Sequence, residues 1–450
     1  MKTLKLLFAV LPVLLAGSPA GAAGPDWHKY EIQSVSLLRD YLRIDNTNPP
    51  GNEAKAADFL VGVLKDAGIP SSRFEFAPGR SIVYARLKGT GEKRPLLLTH
   101  HMDTVPADSG AWTVPPFSGE LKDGEIWGLG AIDMKTTGIL HLMMLKMASE
   151  SGKPLARDLI FLAVGDEEED SAGMRWFLKN KSELIADAEF ALNEGGTIKV
   201  EKGHPDVYQV STVEKAPLWL ELTAEGAASH ASEPASDPAV DRLLRALDKI
   251  TRFPRPVKVI PSVELYFAQL GHPDIKKELL DPAAAAAILG VPYNKAILTN
   301  TISITQLKAS DKINTHPNRA QAWLDCRLLP GEAPEDLLAG MKKAVSDEKV
   351  TFRTVLSESS KESSPDSALF RAIRKVAAEG DPGAIVMPMV LTSSTDSHYL
   401  RDLGIAVYGF EPYRLAEGEE RSHANDERIS AANVNFGLRF LFSVIQEAGK

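Results

Sequence analysis

The stretch Pro95-Leu-Leu-Leu-Thr99, followed directly by His100-His101-Met102-Asp103, decides the fold. A continuous apolar run of this length is typical of a strand that is covered on both faces of a sheet. Other strand-like runs lie at 81–88, 159–164 and 189–192, several of them continuously apolar, and apolar residues recur at helical spacing between them. Alternating strands and helices predict an α/β fold whose central sheet carries helices on both faces.

The pattern changes after Thr212, where strands become alternating rather than continuously apolar. Strands and helices are predicted there in the order strand, helix, strand, strand, helix, strand, which describes a small ferredoxin-like α+β unit. An alanine run at 283–287 predicts an additional helix inside it. We therefore expect residues 24–212 and 358–450 to form one domain, interrupted by an inserted domain of residues 213–357.

The first 23 residues have the composition of a signal peptide. Lys2 and Lys5 precede an apolar run at 6–16, and small residues follow it. The run is shorter than the about 20 residues that a membrane span needs. We expect the segment to be removed, leaving a periplasmic or secreted protein that has no membrane association.

Composition excludes several classes of protein. The chain has 450 residues and a net charge of −9, which argues against a nucleic-acid-binding protein because such proteins usually carry a basic face. The one cysteine, Cys326, can form neither an intramolecular disulfide nor a zinc–thiolate site by itself. Any metal must therefore be held by histidine and carboxylate side chains.

Acidic residues and histidines cluster in five places, mostly just after predicted strands. The clusters are His100 to Asp103, Asp133, Asp166 to Asp170, Glu194, and His423 within Arg-Ser-His-Ala-Asn-Asp-Glu-Arg. Each cluster alone has an ordinary interpretation, since charged residues usually face solvent. Several carboxylates at one edge of one sheet repel each other unless a cation compensates them. Two histidines with carboxylates suit zinc, or cobalt or manganese.

The spacing around His101 adds detail. Asp103 lies two residues further on, so on an extended segment its side chain points the same way. A carboxylate in that place can hold the second imidazole nitrogen of His101. We expect His100, in contrast, to face away from the site.

Seven segments, in order along the chain, resemble the family of co-catalytic zinc peptidases that includes aminoacylase-1, glutamate carboxypeptidase and succinyl-diaminopimelate desuccinylase. They are Leu-Leu-Thr-His-His-Met-Asp-Thr-Val-Pro-Ala (97–107), Trp-Thr-Val-Pro-Pro-Phe-Ser-Gly (112–119), Gly-Leu-Gly-Ala-Ile-Asp-Met-Lys (128–135), Gly-Asp-Glu-Glu (165–168), Asn-Glu-Gly-Gly (193–196), Ser-His-Ala-Ser (229–232) and Ser-His-Ala-Asn-Asp-Glu-Arg-Ile-Ser (422–430). The segments at 112–135 and 393–410 look most like the carboxypeptidase S and N-acyl-amino-acid hydrolase branch.

The resemblance implies a zinc-peptidase catalytic domain, with a mixed central sheet flanked by helices, and an inserted lid and dimerisation domain. It implies two zinc ions: His101 and Glu194 would bind one, Glu168 and His423 the other, and Asp133 would bridge both. Glu167 would be the general base, and Asp103 would orient His101. The family also has a cis peptide after the bridging aspartate, here between Asp133 and Met134.

The resemblance gives the inserted domain a part in the site. His230 would reach the metal centre, often from the partner subunit of a homodimer, and hydrogen-bond the oxyanion. Asn314 and Arg327 would hold the carboxylate of the substrate. The sequence departs from the family at His100, where glycine is usual, at Asn193, where aspartate is common, and at 308–314, which lacks a Gly-Gly pair.

These observations predict a secreted di-zinc carboxypeptidase or N-acyl-amino-acid amidohydrolase. It would use metal-activated water to cleave the amide bond to a C-terminal amino acid, in a small peptide or an N-acyl amino acid. One alternative is a dipeptidase or aminopeptidase of the same family, which would need an acidic group for the substrate amine. Another is a two-lobed periplasmic binding protein without catalysis, which would not need both Glu167 and a complete ligand set.

Overall fold

The computed structural model describes residues 24–450, and the predicted signal peptide at residues 1–23 lies outside the described residues. The helices are α1 Trp27–Leu42, α2 Glu53–Asp66, α3 Lys135–Glu150, α4 Ala172–Lys181, α5 Ala239–Thr251, α6 Pro261–Gln269, α7 Ile275–Glu278, α8 Pro282–Gly290, α9 Pro292–Leu298, α10 Pro334–Val345, α11 Ala368–Gly380, α12 Ser397–Asp402 and α13 Ala431–Ala448. Within this described part of the chain, every helix is too short or too polar to cross a membrane.

The strands follow the same order along the chain. They are β1 Ser71–Ala77, β2 Arg80–Leu87, β3 Lys93–His101, β4 Glu120–Lys122, β5 Glu125–Trp127, β6 Arg157–Val164, β7 Phe190–Asn193, β8 Ile198–Lys199, β9 Val207–Glu214, β10 Ala216–Glu225, β11 Ser229–His230, β12 Thr301–Lys308, β13 Thr315–His316, β14 Arg319–Leu328, β15 Val350–Ser357, β16 Ile385–Leu391, β17 Ala406–Gly409, β18 Arg414–Leu415 and β19 Arg428–Ser430.

A ten-stranded mixed sheet forms the centre of the main unit. Its strands are ordered β1-β2-β6-β3-β7-β17-β9-β8-β18, and β16 pairs with β9. Strand β3 is parallel to both β6 and β7, whereas β2 is antiparallel to β6. Leu96 and Leu98 pack with α1, α2, α3, α11 and α13 on one face, and Leu97 packs with α4 and α12 on the other. The predicted mixed α/β fold is therefore confirmed, and β3 is apolar throughout because both of its faces are covered.

A second sheet has the order β12-β14-β10-β15, and all its strand pairs are antiparallel. Alternate residues of β14, including Leu324 and Cys326, are buried against α5 and α10 on one face. The other face is open: Trp219 of β10 and Val355 of β15 are 39% and 46% exposed. Cys326 thus packs in a core, and burial raises the pKa of its thiol to about 12.

The helical segment, which we define as residues 257–298 containing α6 to α9, lies between α5 and β12 along the chain but packs elsewhere. Its apolar side chains form a cluster with Val213 of β9 and Val390 of β16, both in the main sheet. The Lys215 Nζ, at the crossing into the second sheet, donates to the carbonyl oxygens of Ala296 and Thr299 at 2.8 Å each. At the returning crossing, the Glu362 carboxylate accepts a hydrogen bond from the Ser262 amide at 2.7 Å. The segment therefore contacts both chain crossings.

Candidate active site

His101 lies at the carboxyl end of β3, where open α/β sheets place their sites. Its Nε2 is 3.0 Å from Asp133 Oδ1 and 3.7 Å from Glu194 Oε1. Its Nδ1 is 3.0 Å from the main-chain oxygen of Asp103, which can only accept a hydrogen bond. Nδ1 therefore carries a hydrogen, and Nε2 is the ring atom available to bind a cation.

The Asp103 carboxylate does not take the role expected from its spacing. It lies 3.8 Å from His101 Nδ1, beyond hydrogen-bond distance, and the main-chain oxygen of the same residue orients the ring instead. The carboxylate accepts hydrogen bonds from the amides of Glu167 and Glu168, at 3.3 and 3.2 Å, and from Asn48 Nδ2 at 2.9 Å. Asp103 thus fixes the main chain of the acidic loop.

Asp133 stands in the turn before α3, and its peptide bond to Met134 is cis, as the resemblance implies. The buried carboxylate of Glu427 holds this turn. It accepts hydrogen bonds from the amides of Gly130, Ile132 and Asp133 at 2.8, 2.6 and 2.9 Å. Sequence reasoning missed Glu427 because its partners are main-chain groups about 295 residues away, which no local pattern can show.

His423 completes the far side of the site from a loop. Its Nε2 is 3.2 Å from Asp133 Oδ2 and 3.1 Å from Glu168 Oε2, and its side chain is 55% exposed. Hydrogen bonds to Asp133 and then to Glu168 raise the pKa of His423 to about 10. Charge attraction therefore holds this exposed imidazole against the carboxylates of Asp133 and Glu168.

The structure brings together the five ligands predicted from the sequence, in two sets that share Asp133. His101, Asp133 and Glu194 form one set, and Asp133, Glu168 and His423 form the other; the ligand atoms of each set lie within 4.8 Å of one another. Glu194 Oε1 is buried and has no hydrogen-bond partner among the described residues. Burial raises the pKa of Glu194 well above its usual range. A pair of divalent cations fits this donor set, because it would compensate the clustered carboxylates.

Glu167 adjoins the ligand sets without belonging to either. Burial raises the pKa of its carboxyl group well above the usual range. It lines a cavity of about 290 Å³ between the main sheet and the open face of the second sheet. The other lining residues are Glu169, Asp170, Ser171, Pro217, Trp219, Arg327, Val355, Leu356, Glu358, Ser393, Ser394, Thr395 and His398.

Of the residues predicted in the inserted domain, Arg327 lines this cavity and the other two do not. His230 and Asn314 lie together on the small ribbon of β11 and β13, where the amide of Ala231 donates to the Asn314 carbonyl oxygen at 2.9 Å. The exposed His230 ring bonds only locally, with Nδ1 2.7 Å from Ser232 Oγ. Within residues 24–450 of one chain, this ribbon stands apart from the cavity.

His100 faces away from the ligand sets, as expected. Its ring is fully buried, with Nε2 3.3 Å from the hydroxyl of Tyr41 and with Phe161 alongside. Burial lowers the pKa of His100 well below its usual value, so the ring stays neutral. The imidazole is part of the core and is not a third ligand.

Removing divalent cations is expected to reverse the pH dependence of stability. In the stripped protein the folded-state pKa values of Glu167, Glu194 and His423 are raised above their unfolded values. The folded state then binds more protons, so stability present at low pH is lost as pH rises, and the melting temperature should fall between about pH 6 and pH 8. In the loaded protein, protons compete with the cations for the ligands, so the melting temperature should rise over the same pH range.

Thermal melts at several pH values, with and without chelator, test this prediction. The lowered pKa of Asp133 acts with the opposite sign only at pH values below its unfolded value of 3.8. Four buried bases away from the cations also have lowered pKa values and oppose the trend, but they do so equally in the loaded protein; they are His100, His141, Lys135 and Lys215. If the melting temperature changed with pH in the same way for the stripped and the loaded protein, the prediction would be wrong.

Comparison with known proteins gives a consistent picture. The sequence profile of Peptidase family M20/M25/M40 matches residues 97–447. The chain is 27% identical over 376 residues to the N-fatty-acyl-amino acid synthase/hydrolase PM20D1 of Homo sapiens, covering 79% of this chain and 74% of that protein. It is 27% identical over 414 residues to aminoacylase-1 of Sus scrofa, covering 89% of this chain and 92% of that protein.

A solved structure shares the fold. The M20 family metallo-carboxypeptidase Sso-CP2 from Sulfolobus solfataricus superimposes with a TM-score of 0.72 at 21% sequence identity, covering 93% of this chain and 99% of that one.

Proposed function

The chain belongs to Peptidase family M20/M25/M40, and from that premise we propose that it is a di-zinc amidohydrolase that releases the C-terminal amino acid of an N-acyl amino acid or a short peptide. One observation carries the proposal: two ligand sets share Asp133 beside a cavity that contains both Glu167 and Arg327. Cobalt or manganese could replace zinc in such sites. A complete ligand set with an acid beside it is not what a non-catalytic binding protein needs.

The residues of the chain divide the chemistry between them. When bound, the two cations would supply a nucleophile from water near neutral pH and polarise the scissile carbonyl. Glu167 accepts the proton of that water on its carboxylate and returns it to the leaving nitrogen. Glu427 and Asp103 hold the main chain of the two loops that carry Asp133 and Glu168, so the ligands need not reorganise during turnover.

The cavity supports an amino acid carboxylate at one wall and apolar groups at another. Arg327 offers a guanidinium for the carboxylate. Pro217, Trp219, Val355 and Leu356 line an apolar side, which suits an acyl chain or an apolar side chain. The names of the two curated relatives, an N-fatty-acyl-amino acid hydrolase and an aminoacylase, support the N-acyl class.

We assign His230 and Asn314 to the cavity of a partner subunit in a homodimer formed through the second sheet. Two features support this assignment. Both residues lie on an exposed ribbon, and the edge strand β12 exposes Ile304 and Leu307. The composition of residues 1–23 supports export, so we place the mature enzyme in the periplasm or outside the cell.

Metal analysis with a substrate panel tests the proposal. The panel holds N-acetyl and long-chain N-acyl amino acids, free dipeptides and N-blocked dipeptides. We expect about two metal ions per chain and chelator-reversible hydrolysis of the N-acyl and N-blocked members. Hydrolysis restricted to free dipeptides would assign the chain to the dipeptidase alternative, and metal-loaded protein without turnover of any member would refute the proposal.

A further inference from the structure

One edge of the Arg327 guanidinium in the cavity is already paired with a neighbouring carboxylate. Its Nε and Nη2 face the two carboxylate oxygens of Asp325 at 2.8 and 3.2 Å. The pair is close to neutral, and the Nη1–H groups and one Nη2–H of the guanidinium remain for a ligand. A substrate carboxylate that enters a partly buried cavity needs more than this one donor edge, because desolvating a charge without compensation is costly.

His398 supplies an unused donor position in the same cavity. The residue is 5% exposed and lines the cavity together with Arg327. Its Nδ1 lies 2.7 Å from the carbonyl oxygen of Thr395, which can only accept, so Nδ1 carries a hydrogen. Its Nε2 is buried and has no hydrogen-bond partner among residues 24–450. A buried ring nitrogen left without a partner at a cavity wall indicates a ligand-facing role.

Glu358 lies on the Nε2 side of this ring. Its Oε2 is 3.4 Å from His398 Nε2, without the geometry of a hydrogen bond, and it accepts a hydrogen bond from Ser394 Oγ at 3.1 Å. The Tyr399 hydroxyl donates to Oε1 at 3.4 Å. Both ring nitrogens of His398 therefore face oxygens that accept hydrogen bonds, Nδ1 the carbonyl oxygen of Thr395 and Nε2 the carboxylate of Glu358. This geometry suits hydrogens on both nitrogens, with Nε2–H as a donor that has Glu358 as its counter-ion.

Buried polar contacts fix the position of the His398 ring. The Thr395 hydroxyl, next to the carbonyl group that receives Nδ1–H, donates to Glu214 Oε1 at 2.5 Å. The Asn193 side chain donates to Ser397 Oγ at 3.0 Å. Arg401 Nη1 lies 3.4 Å from the other oxygen of Glu214. A donor held this firmly loses little conformational entropy when a ligand binds.

We propose that His398 Nε2, with Glu358 as its counter-ion, is a specificity-determining donor that binds the free carboxylate of the substrate together with Arg327. The inference rests on the proposed function and deepens it. It makes a negative charge on the released amino acid, rather than the amide alone, the feature that this cavity selects. A C-terminal carboxamide presents no charge to the two donors, so its oxygen accepts only weaker, neutral hydrogen bonds from them.

Ligand binding to the full-length, metal-loaded Glu167→Gln protein, in which turnover is slow, tests the proposal. The probes are N-acetyl-L-leucine and N-acetyl-L-leucinamide, measured by calorimetry. In His398→Asn the side-chain amide can still reach the Thr395 carbonyl oxygen, but the Nε2 donor is lost. Because a hydrogen bond to a charged group contributes about 1.5–3 kcal/mol, we expect His398→Asn to weaken binding of the acid about 10- to 100-fold and binding of the amide much less. His398→Gln, which keeps a donor near the Nε2 position, should restore part of the loss.

Other results would overturn the inference. Equal weakening of both probes would show a merely structural role, and unchanged binding of the acid would show no role at all. A parent protein that does not prefer the acid over the amide would also refute it. His204→Asn, at an exposed turn remote from the cavity, is the matched control and should leave both affinities unchanged. Failure of the unmodified enzyme to hydrolyse the substrate panel would refute the proposed function instead, and is read separately from these affinities.

Discussion

Glu167→Gln is expected to lower kcat about 10²- to 10⁴-fold, the range that general acid–base catalysis contributes. The residue is half-buried and directly precedes the ligand Glu168, but it is a member of neither ligand set. The amide has nearly the same size and cannot accept the proton of the attacking water. The metal content should therefore remain that of the unmodified protein, and KM should change little.

Kinetics and metal analysis of the same preparation check this result. Glu183→Gln makes the same chemical change at an exposed position on the surface and should leave kcat unaltered. Unmodified activity of metal-loaded Glu167→Gln would mean that another group accepts the proton. Lost activity accompanied by lost metal would assign Glu167 to the ligands.

Glu427→Ala is expected to produce the largest loss of stability among the site variants. The substitution leaves the amides of Gly130, Ile132 and Asp133 without their acceptor in a buried turn. An unsatisfied buried group costs about 1–3 kcal/mol, so the free energy of unfolding should fall by about 3 kcal/mol or more. Because the same turn carries Asp133, the variant should also release metal at lower chelator concentrations.

Denaturant unfolding of the metal-free protein isolates the structural part of this effect from the metal part. Glu417→Ala, at an exposed position in the loop that precedes His423, is the matched control and should be neutral in both measurements. If Glu427→Ala unfolded at the same denaturant concentration as the parent, the carboxylate would not be what holds the turn.

The sequence predicted the elements whose signals are local. Strand β3 follows from its run of apolar residues and is found close to its predicted bounds. Helix α3 lies between two predicted strands, where apolar residues recur at helical spacing. Strand β1 was missed. It is an edge strand that alternates and is only partly buried, so it lacks the apolar run that marks the central strands.

The ligand residues could also be selected from the sequence, because they stand in motifs and follow predicted strands. The contacts that support them could not. Whether Asp103 uses its carboxylate or its main-chain oxygen on His101 depends on competing donors from the acidic loop. Glu427 holds main-chain amides, and a main-chain oxygen holds the ring of His398. Contacts of this kind leave no pattern of side chains in the sequence.

The helical segment at residues 257–298 gives the cavity a mechanical property. Two single crossings of the chain would leave the second sheet free to pivot about them. Here a pivot would have to pull the fully buried Lys215 ammonium from the two carbonyl oxygens that solvate it and open an apolar cluster at Val213 and Val390. Both movements are energetically uphill. The segment therefore opposes pivoting of the second sheet and, with it, a change in the distance between the two walls of the cavity.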